Sequence, residues 1–159
     1  MGSNALMVKP IVLGTLIAGT LDLLSAFLFA GMAGMPPMAV LRFVASGPFG
    51  EVPTATAGWA IVGTLVHFGI MAMMVAAYMM AAPRMPALLR HPIAAGMAYG
   101  VLLWLVMYWL VRPMRWPDMP LPHTAWGIAN QLFSHCILVG IPIALIAARF
   151  WRRPAFATA

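Results

Sequence analysis

Residues 57–82 read AGWAIVGTLVHFGIMAMMVAAYMMAA. The run holds no Lys, Arg, Asp or Glu, and its one histidine is His67. At about 1.5 Å of rise per residue, a helix of this length exceeds the ~30 Å of a bilayer's hydrocarbon core. It reads as a membrane-spanning helix. Three further segments meet the same requirement of about 20 apolar residues. They cover residues 10–33, 92–111 and 124–148. Backbone in lipid must satisfy its own hydrogen bonds, so each is expected to be helical. The alternating ten-residue segments of a membrane barrel are absent.

The whole chain agrees with this reading. Of 159 residues, 64% are hydrophobic and 8% charged, against about 45–50% and about 25% in a soluble domain. So few charges cannot cover a soluble surface, and disorder requires the opposite bias. The fold class is all-α: one polytopic domain, 1–159, with four transmembrane helices in an up-down bundle. The first segment is too long for a signal peptide's apolar core of about 7–15 residues and carries Asp22, so it is read as a retained helix.

The net charge of +6 comes from basic residues at loop ends, as topology requires. No basic run of the kind that tracks nucleic acid is present. Lys9, Arg84, Arg90, Arg149, Arg152 and Arg153 fall on one side. Arg42, Arg112, Arg115, Glu51 and Asp118 fall on the other. The basic excess places both termini in the cytoplasm. Trp59, Trp109, Trp116, Trp126 and Trp151 lie near helix ends, where indole favours the interface.

The first outer loop holds the apolar stretch 37–45, with Pro36-Pro37 before it and Gly47-Pro48 after it. It reads as a short interfacial helix. The third loop, 112–123, carries four prolines and is expected to be extended. A weak internal echo, Pro10-Ile-Val-Leu-Gly14 against Pro92-Ile-Ala-Ala-Gly96, suggests two repeated helical hairpins.

Asp22, His67 and His135 each fall near the middle of a different span. An ionised Asp at a helix centre costs about 2.5–3.5 kcal/mol on insertion scales, so such residues face the bundle and pair. A direct bond from Asp22 to a histidine is expected. Ser25 shares a face with Asp22; Thr64, Met71, Met74 and Tyr78 with His67; Gln131 with His135. The expected midplane cluster is Asp22, His67, His135, Gln131, Thr64, Ser25 and Tyr78. Three roles fit it: helix packing, proton or solute passage, and cofactor binding. In the last, His67 and His135 hold a b-type haem, with Gly63 leaving room for the porphyrin. A metal ion would instead take His67, His135 and Asp22, with Met71 as a soft donor. The methionines also have a plainer role as flexible gap-fillers.

No Ser-His-Asp order, H-E-x-x-H or glycine-rich phosphate loop is present. Cys136, the single cysteine, excludes an internal disulfide and reads as a buried neutral thiol.

From His67-Phe68 onward the chain resembles YagU-like bacterial inner-membrane proteins, a family of unknown function. The likeness is carried by Ala76-Ala77-Tyr78, the loop with Pro83 and Pro86, Gly96 and Gly100, Leu121-Pro122, mid-span His135 and the basic end at Arg149. It covers about 90 residues, counted within the four-span reading. Asp22 departs from that pattern. The resemblance implies a four-helix inner-membrane fold and no activity.

The expected function is therefore that of a small, non-enzymatic protein of the bacterial inner membrane. It would be an accessory subunit, or a proton or small-solute pathway around the Asp22/His67/His135 cluster. One alternative is a haem- or metal-binding redox module. A second is a membrane enzyme using Asp22 and a histidine as acid and base. The expected partners are lipid, further copies or a larger membrane complex, and no nucleic acid.

Overall fold

A computed structural model describes residues 3–50 and 56–152. Glu51 and Arg153, counted in the charge asymmetry above, lie outside the described residues. Four helices are long and apolar enough to cross a membrane: Met7–Met32, Gly58–Ala81, Pro92–Arg115 and Ala125–Trp151. They are the first to fourth spans below. The described residues are helical or irregular, with no strand among them, as the hydropathy pattern requires.

The fourth span runs on to Trp151, three residues past the expected end, and two further bounds differ at prolines. The first helix begins at Ser3, not Pro10, and Pro10 is buried inside it. The third span does not stop at Val111 but continues through Pro113 to Arg115. A proline lacks an N–H, and its ring collides with the carbonyl four residues back. The chain answers by widening the preceding turn. Val106–Val111 is π-helical, and Pro113 follows; Ser134–Gly140 is π-helical, and Pro142 follows. In each case the residue just before the proline donates five residues back, Arg112 N–H to Met107 O and Ile141 N–H to Cys136 O. The helix thus passes its proline without ending.

The third and fourth spans cross at near-backbone contact. A Cβ added at Gly140 would lie 2.0 Å from the Gly96 carbonyl oxygen. One at Gly100 would lie 2.4 Å from Cys136 Cα and from His135 O. Gly96 and Gly100 are four residues apart, so both face the fourth span. In lipid, where the hydrophobic effect does not drive helices together, small residues of this kind permit the close packing that does.

The fourth span packs against the first as well as the third, and the second packs against the first. Ala18, Met71, Val75, Tyr78, Met79, Leu103, Val139, Ile143, Ala144 and Ala147 form the buried core between them. Outside it, Leu24, Leu28, Ile61, Leu65, Met73, Leu102 and Leu145 are exposed and form an apolar jacket suited to acyl chains.

The first outer loop contains a helix, Pro37–Phe49. It is seated directly on the second span. A Cβ at Gly63 would fall 1.8 Å from the Leu41 carbonyl oxygen. The space expected for a porphyrin at Gly63 is therefore occupied by Leu41 backbone. Arg115 holds the far end of this helix. Its Nε and Nη2 donate to Ser46 O at 3.0 and 2.7 Å, and Nε also reaches Gly47 O at 2.6 Å. A cation on the last carbonyls of a helix meets the negative end of its dipole. Phe43 stacks on Trp116 at 4.6 Å between centroids, so the first and third loops are bound together at one end of the bundle. At the other end Arg152 donates to Leu89 O and Arg90 O, tying the C-terminal turn to the helix Pro86–Arg90. These contacts fix the alternation of an up-down bundle.

Candidate functional site

Asp22, His67 and His135 each sit about ten residues from the span end that carries the first and third loops, roughly 15 Å deep. Their levels match because rise per residue is constant. Their surroundings differ.

His67 Nε2 lies 2.9 Å from the Gly19 carbonyl on the first span. A carbonyl can only accept, so Nε2 carries a proton, and in the neutral ring Nδ1 keeps its lone pair. His135 Nδ1 lies 2.9 Å from the Gln131 carbonyl of its own helix. By the same logic Nδ1 carries the proton there and Nε2 is left open. The His135 ring meets Tyr108 edge-on at 5.7 Å. Arg112 lies over the Tyr108 ring at 5.9 Å, and its Nε is buried without a described hydrogen-bond partner.

Asp22 is half-buried. Its carboxylate makes no hydrogen bond or ion pair with any described group. The expected direct bond from Asp22 to a histidine is thus not made. The Gly19 carbonyl takes the His67 proton, and the Gln131 carbonyl takes that of His135. For His67 the acceptor is the backbone one turn before Asp22 on the first span, and for His135 it is the backbone one turn back in its own helix.

The other expected members separate into two groups. Ser25 and Gln131 join the layer. Ser134 donates to Asn130 O at 3.0 Å, so Ser25 donates to Ser134 across 2.5 Å, linking first and fourth spans. The Gln131 side-chain oxygen accepts from Trp104 Nε1 at 3.0 Å. Thr64 bonds its own helix at Ala60 O, 2.9 Å. Tyr78 is spent at the opposite end of the bundle, donating to Leu88 O at 3.3 Å. Met71 is 3% exposed and packs in the core against Gly19, and Met74 packs beside that core.

Trp104, Tyr108, Arg112 and Ser134 line this layer or stand between it and the span end, Arg112 lying about 12 Å along the helix from Trp104, and were not among the expected members. The first three follow one another at intervals of four, one face of the third span, and that spacing is legible in the sequence. Among the described residues no group of three or more His, Cys, Asp or Glu could hold a metal ion.

No family model, curated protein or solved structure matches this chain. What the layer can do must come from its own chemistry. It presents three titratable groups at one depth, on three helices. Each retains an uncommitted acceptor: a carboxylate oxygen of Asp22, Nδ1 of His67 and Nε2 of His135. Around them stand the Ser25, Ser134 and Trp104 donors, which already have partners, the Tyr108 hydroxyl, and Arg112, whose buried Nε has no described partner.

Proposed function

We propose that this chain is a small non-enzymatic protein of the bacterial cytoplasmic membrane whose polar layer takes up and passes protons, as a pathway or as an accessory subunit of one. The basic-residue asymmetry supports a cytoplasmic location for both termini. The supporting observation is the set of three acceptor atoms at one level, on three spans, with no described hydrogen-bond partner. Ionisable residues inside a membrane mark proton relays and ion pathways, and a histidine titrates closest to neutrality. The resemblance to YagU-like inner-membrane proteins agrees with the four-span reading and adds no activity.

The test is proton flux into vesicles holding a trapped pH dye, with valinomycin and potassium to carry compensating charge. Vesicles with the wild-type protein should lose an imposed pH gradient faster than empty ones, and Asp22→Asn should slow the loss towards the empty rate. Wild-type vesicles no faster than empty ones would refute the pathway.

A second reading draws on one observation. A histidine whose Nδ1–H is held by a carbonyl while Nε2 stays open is oriented as metal- and haem-binding histidines are. His135 has that arrangement; His67 is held through Nε2 instead. A Soret band in the purified protein that is lost in His135→Ala would favour this reading over proton passage.

A further inference from the structure

At the end of the bundle that carries the second loop and the C-terminus, a groove of about 500 Å³ is lined by Pro92, Leu145, Ala148, Arg149 and Arg152. Its composition is graded. Leu145 and Arg149 are one helical turn apart on the fourth span, and Arg152 follows within the next turn, so one helix face passes from apolar to doubly basic. The apolar end is open: Leu145 is 46% exposed, and Ile93, beside Pro92, is 58% exposed. The basic end lies where the spans end. Arg149 makes no hydrogen bond or ion pair among the described residues. Arg152 donates to Leu89 O and Arg90 O and so holds its guanidinium at the rim. The third span starts at Pro92, on the groove wall, with no side chain capping its first turn, which adds the positive end of a helix dipole.

We infer that this groove is a binding site for an anionic phospholipid, with the phosphate at Arg149 and Arg152 and an acyl chain along Leu145 and Ile93. Charge complementarity selects an anion, and the exposed apolar continuation at membrane depth selects one that carries an acyl chain. Basic pockets between transmembrane helices bind anionic headgroups in this way. The site lies at the opposite end of the bundle from the loops tied by Arg115, and it does not depend on what the polar layer does.

The test is native mass spectrometry of the detergent-purified full chain with phosphatidylglycerol or phosphatidylcholine at equal concentration. Phosphatidylglycerol should give the larger population of singly bound adduct. Arg149→Gln should weaken that adduct about fivefold, the worth of one basic residue near an anionic surface. Arg84→Gln is the comparison. Arg84 is exposed at the same end of the bundle, bonded to Met80 O, and outside the groove; its loss should leave the adduct unchanged. Equal weakening by both variants would mean a diffuse basic surface and overturn the inference. So would equal binding of the two lipids, or full displacement of the lipid by an equal concentration of inorganic phosphate. Thermal unfolding of Arg149→Gln without lipid should match wild type, which separates lost binding from lost fold.

Discussion

The glycine crossing of the third and fourth spans allows the sharpest test of the packing. Consider Gly140→Ala. The added Cβ meets Gly96 O at 2.0 Å and Gly96 C at 2.9 Å. Ordinary contact begins near 3.4 Å, so the two helices must separate by more than an ångström locally. Both atoms are backbone, so no rotamer change relieves the clash. Overpacking of this kind costs about 1–3 kcal/mol. Alanine's better helix propensity returns about 1 kcal/mol, leaving a net loss of up to about 2 kcal/mol. For a chain of this size each kcal/mol moves Tm by roughly 2–4 °C, so Tm should drop by up to about 8 °C and fall below that of the control variant. Gly69→Ala is the control. It lies mid-span in the second helix with nothing within 4 Å of its Cβ, and it should hold or raise Tm. Cys136 supplies the assay. It is the sole cysteine, 7% exposed, and its backbone forms part of the same crossing. A thiol-reactive fluorophore therefore reports the opening of this interface during heating. A Gly140→Ala protein that melts at or above the temperature of Gly69→Ala would show that the spans do not cross at Gly96 and Gly140.

Three further outcomes follow. Asp22 has no described partner, so Asp22→Leu should not lower Tm in detergent and should raise it; a fall equivalent to about 1–3 kcal/mol, the usual cost of stranding a buried partner, would reveal a bond to Asp22. Ser25→Ala and Ser134→Ala should show a coupling near 0.6 kcal/mol in a double-mutant thermal-unfolding cycle, about the average for interhelical bonds in membranes, and strictly additive effects would deny the Ser25–Ser134 bond. Arg115→Ala should release the end of the Pro37–Phe49 helix, seen as faster amide exchange over residues 43–49 with little change in the spans, and unchanged exchange there would mean that Arg115 does not cap it.

Much of the site was legible before any tertiary contact. The depth of Asp22, His67 and His135 follows from counting along helices of fixed rise. Ser25 and Gln131 follow from helical spacing around them. Tyr78 shows where such counting fails. It shares a face with His67, yet a tyrosine near a span end finds a carbonyl in the adjoining short helix, and its hydroxyl goes to Leu88. Trp104, Tyr108 and Arg112 show the reverse. Their spacing is visible in the chain, but nothing local says that this face meets His135.

Four membrane spans, their approximate ends and the level of each polar group can be read from the chain alone, because hydropathy, length and rise per residue are local properties of one segment. The sequence could not determine the rotation of each helix. The spans are apolar on all sides, so no single stripe marks the inward face as it does in a soluble helix. Rotation was decided where backbones touch: at Gly96, Gly100 and Gly140 between the third and fourth spans, and at Gly63 under Leu41. The wide turns ahead of Pro113 and Pro142 then set the register of everything beyond them. The partners of Asp22, His67 and His135 depend on that rotation. Whether a buried hydrogen goes to a carboxylate or a carbonyl is a matter of which oxygen the packing brings within 3 Å, and only the assembled bundle fixes it.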